Sequence, residues 1–103
     1  MPEFVCLLRP AFDQRFLASA TPAQREVVDR HGEFLLGLAE QGRLVLAGRC
    51  WDGPVGIVIL SAGDEAAARA LLADDPSLVA GLQTAEIYPF SVFIRPPAAG
   101  APG

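Results

Sequence analysis

Residues 21–42, TPAQREVVDRHGEFLLGLAEQG, decide how the chain folds. Thr21 can cap a helix, Pro22 suits its first position, and Gln24 completes a capping box. The helix runs to Gln41, and Gly42 supplies a left-handed stop. Val27, Val28, His31, Phe34, Leu35 and Leu38 share one face, with His31 near its centre. Arg25, Asp29, Glu33 and Glu40 line the opposite side. A helix of this kind needs an apolar surface to lie on, and the flanking sequence supplies strands.

Upstream, Phe4-Val5-Cys6-Leu7-Leu8 is a continuous apolar run that reads as a strand buried on both faces, ended by Arg9-Pro10. Residues 11–20 form a connection with room for a helical turn. Downstream, Leu44-Val45-Leu46-Ala47 is a second strand and Val55 to Leu60 a third. The turn-rich loop from Gly48 to Pro54 makes them a hairpin. Ser61-Ala62-Gly63-Asp64-Glu65 opens a second helix, with acidic residues in its first turn, that continues to Ala73. Pro76 disfavours helix at Asp75, and Ser77 to Leu82 forms one short turn. A last strand spans about Ala85 to Ile94, and Pro89 requires it to be an edge strand or to bulge. The order is β-α-β-β-α-β. This predicts an α+β, ferredoxin-like fold: a four-stranded antiparallel sheet with two helices on one face. One domain covers residues 1–95, and residues 96–103 form a flexible Pro/Ala/Gly tail.

Two helices cover only one face of such a sheet. Strands one, two and three are apolar at successive positions, so the second face is apolar too. A monomer rarely leaves a patch of that size in water. The expectation is a homodimer with the sheets packed face to face, a dimeric α+β barrel.

Composition narrows the function. The chain has 103 residues, 51% hydrophobic and 19% charged, an ordinary globular balance. A net charge of −4 argues against nucleic acid and against anionic membrane. No apolar run approaches a membrane span, and Met1-Pro2-Glu3 lacks the basic start of a secretory signal. A cytoplasmic location is expected. All eight basic residues are arginines, so no lysine side chain can form a Schiff base. The bias to Ala, Gly, Pro and Arg suits a GC-rich bacterial genome. Cys6 and Cys50 show no CxxC spacing and read as structural thiols, and one histidine with two distant cysteines is a poor metal set. No metal or cofactor is expected. The glycines form no phosphate loop, and the serines lie in no GxSxG elbow.

His31 is the only histidine, and it sits where a core residue would be expected. Buried polar groups need partners. Asp74-Asp75-Pro76, at the end of the second helix, offers a carboxylate. The alternative for His31 is a core histidine bound to a backbone carbonyl. The alternative for Asp75 is an N-cap on the turn after it. Asp74 reads as solvated.

The run from His31 through Gly42-Arg43-Leu44 to Ala47-Gly48 resembles the YciI-like (YCII-related) domain family. So do Leu72-Ala73-Asp74-Asp75-Pro76, Ala80-Gly81 and Tyr88-Pro89-Phe90. The resemblance covers about residues 3 to 95. It implies a dimeric ferredoxin-like barrel related to muconolactone isomerase, with an active site built from His31 and Asp75. The chain departs from common members at Arg49-Cys50-Trp51, where a proline often follows the glycine. In this reading Asp75 fixes the tautomer of His31, and the free ring nitrogen moves a proton next to a carbonyl. That suffices for a cofactor-free lyase or isomerase acting on a small carbonyl or carboxylate compound. Arg9 and Arg49 are candidates to bind a substrate carboxylate, and Tyr88 to donate to a developing enolate. Each has an alternative as a surface or sheet-edge residue. Trp51 is a pocket lid or, preferably, a dimer contact. The competing functions are a non-catalytic dimeric domain that binds a small molecule in the same cleft, and a purely structural interaction domain.

Overall fold

In the computed structural model, residues 1–11, 20–50 and 55–97 are described. Trp51, most of the connection before the first helix, and the tail beyond Pro97 lie outside them. The elements are β1 (Glu3–Pro10), α1 (Pro22–Glu40), β2 (Leu44–Arg49), β3 (Gly56–Ser61), α2 (Glu65–Ala73), α3 (Pro76–Val79) and β4 (Gln83–Phe90). The sheet is antiparallel throughout, in the order β2-β3-β1-β4. This is the ferredoxin-like arrangement that the sequence predicts.

Alternation along β1 divides the sheet into two faces. Phe4, Cys6 and Leu8 are buried, and their register partners Leu60, Val58 and Ile87 are buried with them. Residues directly opposite in an antiparallel pair share a face, so these side chains form one apolar floor. Leu38 of α1 and Ala68 and Leu72 of α2 close on it, with Phe34, Leu35 and Leu71 at its margin. Both helices therefore lie on the same side.

The start of α1 is built as expected. Gln24 N donates to Thr21 Oγ1 at 3.1 Å, and Thr21 N donates to Gln24 Oε1 at 2.9 Å. Its end is a Schellman turn: Gly42 takes φ +73°, Gly42 N donates to Ala39 O, and Arg43 N donates to Leu38 O. The same turn recurs after α3. There Gly81 takes φ +74°, Gly81 N donates to Leu78 O, and Leu82 N donates to Ser77 O. This second turn folds the chain back so that β4 starts beside α3.

Several boundaries differ from expectation. Ser61 still belongs to β3, and α2 begins after Asp64, whose side chain accepts from Ala67 N at 2.8 Å. β2 runs on to Arg49 because Gly48 and Arg49 still pair with Ile57 and Gly56. β4 starts at Gln83, opposite Pro10, and stops at Phe90, opposite Glu3, where β1 begins. Val92, Phe93 and Ile94 carry strand-like side chains but lie past the end of the ladder. Pro89 stands on β4, an edge strand, as its missing N–H requires.

The face away from the helices carries Val5 and Leu7, opposite Ile59 and Ile57, with Leu46 and Tyr88 beside them. Leu46 is 49% exposed and Tyr88 48%.

Candidate functional site

His31 projects from α1 towards the N-terminus of α3. Its Nδ1 lies 2.7 Å from Asp75 Oδ2 and 2.9 Å from Asp75 Oδ1. The Asp75 side chain is wholly buried, whereas 20% of the His31 side chain reaches solvent. Local sequence holds Asp75 in place. It is the N-cap of α3, Pro76 occupies the first helical position, and Ser77 N donates to Asp75 Oδ1 at 2.8 Å. The Ser77 hydroxyl donates to the same oxygen at 2.8 Å and accepts from Gln83 Nε2 at 2.9 Å.

Every contact of Asp75 is with a group that can donate. A carboxylate that only accepts fits this set, so the proton between it and His31 sits on Nδ1. In the neutral imidazole Nε2 then carries the lone pair, and among the described residues it has no hydrogen-bond partner. Asp75 caps the turn and also meets His31, two roles compatible on one carboxylate. His31 bonds a side chain rather than a backbone carbonyl. Asp74 is exposed, as expected.

Ser77 and Gln83 are the members that sequence reasoning missed. Ser77 follows an Asp-Pro pair, a turn pattern in which the i+2 backbone N–H bonds the Asp side chain, so it had a local signal. Gln83 had none, because it reaches Ser77 only through the turn at Gly81.

Arg9, Arg49 and Tyr88 are not brought to this site. Arg9 and Tyr88 lie on the open face of the sheet and share Glu86. Arg9 Nε donates to Glu86 Oε1 at 2.8 Å, and Tyr88 OH donates to Glu86 Oε2 at 2.6 Å. The Tyr88 hydroxyl, then Arg9, hold the Glu86 carboxyl below its usual range, and Glu86 in turn pushes the Tyr88 phenol up. Arg49 is exposed at the end of β2.

Cys6 is not a nucleophile in waiting. Burial pushes its thiol up to about 11, against a smaller opposing pull from Arg69, so it stays protonated near neutrality. Among the described residues no group of three or more His, Cys, Asp or Glu side chains could hold a metal ion, and no helix is long and apolar enough to cross a membrane. An open groove of about 530 Å³ is lined by Met1, Glu3, Phe90, Val92, Phe93 and Arg95. It lies at the Glu3–Phe90 end of the sheet, whereas Gln83 and the His31 contact mark the other end.

The fold is that of a small ferredoxin-like α+β domain. The chain belongs to the YCII-related domain family, which matches residues 3–91. No curated protein matches the sequence. In structure the chain is similar to 5-chloro-2-hydroxyhydroquinone dehydrochlorinase (TftG) from Burkholderia phenoliruptrix AC1100, solved in complex with 2,5-dihydroxybenzoquinone. The TM-score is 0.63 at 12% identity, over 85% of this chain and 93% of that one. At that identity the likeness establishes the shared fold.

Proposed function

We propose that the protein is a small acid–base enzyme, a lyase or isomerase, in which His31 is the base and Asp75 the anion that orients it. The observation that carries this reading is the 2.7 Å contact between His31 Nδ1 and a buried carboxylate. It leaves Nε2 without a hydrogen-bond partner among the described residues, on a side chain that is 20% exposed. Nε2 takes a proton from a carbon next to a carbonyl, and the C–H electron pair moves into the ring or chain as a new double bond. In an elimination the leaving group departs with its own electron pair. In an isomerisation the protonated His31 returns the proton to a different carbon. Neither route needs a cofactor. Family membership supports the reading. The dehydrochlorinase named above supplies a substrate class to try, a hydroxylated ring bearing a leaving group next to a carbonyl tautomer.

The same reading makes the protein a cytoplasmic homodimer joined through the open sheet face. Val5, Leu7, Ile57 and Ile59 form the centre of an apolar patch there, which water disfavours. Arg9 and Tyr88 then belong to the interface and reach substrate only if the dimer cleft extends to it.

The test is turnover of 5-chloro-2-hydroxyhydroquinone, followed by chloride release, for the wild type and His31→Asn. His31→Asn is expected to fold normally and lose roughly 100- to 10,000-fold in rate. A folded His31→Asn with full turnover sinks the enzyme reading. Binding of 2,5-dihydroxybenzoquinone without turnover of any ring substrate would favour a non-catalytic ligand-binding domain.

A further inference from the structure

The hydrogen bonds around Asp75 run in one direction, and that direction starts at Gln83. Gln83 Nε2 donates to Ser77 Oγ at 2.9 Å, and Ser77 Oγ donates to Asp75 Oδ1 at 2.8 Å. Ser77 N donates to that oxygen too, and His31 Nδ1 closes the chain on Asp75 from the other side at 2.7 Å. A serine hydroxyl has one hydrogen and can point it at only one acceptor. Two partners decide where it points, the Asp75 Oδ1 acceptor at 2.8 Å and the Gln83 amide at 2.9 Å; His31 Nδ1, at 3.4 Å, carries its own proton in this arrangement and offers no lone pair. With the amide NH₂ of Gln83 facing Ser77, the hydrogen goes to Asp75. With an acceptor in that place, it would go the other way, and Asp75 would lose a donor and gain a dipole pointing oxygen-first.

We infer that Gln83 and Ser77 are positioning residues, which lock the Asp75 carboxylate against Nδ1 and thereby leave Nε2 as the substrate-facing nitrogen of His31. The inference rests on the acid–base reading of His31 but makes a separate claim about how its tautomer is selected. Ser77 is 2% exposed and Asp75 fully buried, so water cannot easily stand in for a missing donor. The fold supplies the constraint. Gln83 is the first residue of β4, paired with Pro10 on the central strand, and the Gly81 turn aims it back at α3. The orientation of a histidine on one helix is thus referred through α3 to the sheet.

The experiment reads the His31 ring directly. Nitrogen-15 NMR of the neutral imidazole distinguishes Nδ1–H from Nε2–H without any substrate. The wild type is expected to show Nδ1–H with a non-protonated Nε2. Gln83→Met removes the donor and Gln83→Glu replaces it with an acceptor. Both are expected to move the tautomer ratio severalfold towards Nε2–H, Gln83→Glu the more. On any confirmed substrate they should lower kcat by roughly 10- to 100-fold with KM little changed. Ser77→Ala serves as a second route to the same readout if a Gln83 variant fails to fold. Folded variants at both positions with a wild-type tautomer overturn the inference, whatever the turnover. If instead the tautomer shifts as expected but His31→Asn keeps full turnover, the positioning stands and the acid–base reading fails.

Discussion

Two carboxylates in this chain are each held by a titratable ring and by one further side-chain donor, and they sit on opposite sides of the same sheet. Asp75 meets the His31 imidazole and the Ser77 hydroxyl under the helices. Glu86 meets the Tyr88 phenol and the Arg9 guanidinium on the open face. The distances are nearly equal, but the surroundings are not. Asp75 is 0% exposed, whereas the Arg9 and Glu86 side chains are 45% and 44% exposed. Geometry alone would rank the two clusters together. Burial separates them, because a donor stripped of its acceptor in the interior finds no water, and one at the surface does.

The first way to break this comparison is to delete Asp75. Asp75→Ala strands Ser77 N, Ser77 Oγ and His31 Nδ1 in or near the interior, and the expected loss is about 3–5 kcal/mol. Asp75→Asn keeps one acceptor oxygen and the cap, so it should cost clearly less. Urea unfolding of the two variants measures the difference. If Asp75→Ala is as stable as the wild type, the buried network contributes nothing that packing does not, and the contrast with Glu86 disappears.

The sequence shows why half of this contrast was readable in advance. A lone histidine on an apolar helix face demanded a partner, and Asp75 beside Pro76 announced a capped turn, so both ends of the central contact had local signatures. Thr21 and Gln24 marked the start of α1, and Gly42 its end, because capping depends on residues three or four apart. What was not readable depends on pairing between distant segments. Val92-Phe93-Ile94 has every property of a strand, yet β4 ends at Phe90 because β1 has begun opposite it. Gln83 joins the site only after the Gly81 turn and the β1 pairing have placed it. Arg9 and Tyr88 were ranked as substrate ligands by residue type, but strand alternation turns both away from the helix side, and only the sheet register reveals which way.

The second prediction stays on the buried face. Cys6 is 0% exposed, in the middle of β1, and burial raises its thiol from 9.0 to about 11. The folded state thus holds its proton to higher pH than the unfolded chain does. Stability from this source is fully present below the ordinary thiol value and falls as pH rises towards 11. The expected loss over that interval is at most about 2 kcal/mol. Cys6→Ala should be less stable than the wild type near neutrality but should lack this alkaline decline. Tyr88→Phe serves as the control, since the Tyr88 phenol is also raised but sits in water. If Tyr88→Phe, and not Cys6→Ala, flattens the alkaline limb, then the surface cluster carries the pH dependence and burial has been given too much weight.

The smallest effect is expected at Glu86, and it is the most informative about the open face. Its carboxyl is lowered, first by the Tyr88 hydroxyl and then by Arg9, so its contribution is present above the ordinary glutamate range and is lost as pH falls through the folded value. For a solvated cluster that contribution is screened by salt and small. Glu86→Gln should therefore leave the melting temperature at neutral pH close to that of the wild type in dilute protein, and should only flatten the acid limb. The proposed dimer changes the expectation at higher concentration. Packing a second sheet over Val5, Leu7, Ile57 and Ile59 would also desolvate Arg9, Glu86 and Tyr88, and in Glu86→Gln the Arg9 guanidinium would sit in an interface without its counter-charge. Melting curves of the wild type and Glu86→Gln across a concentration series, with light scattering to report mass, separate the cases. A gap between the two proteins that widens with concentration places Glu86 in the interface and makes the two carboxylate clusters alike after all. A gap that stays small at every concentration, in a protein that remains monomeric, leaves the open face to water and removes the support for a face-to-face dimer.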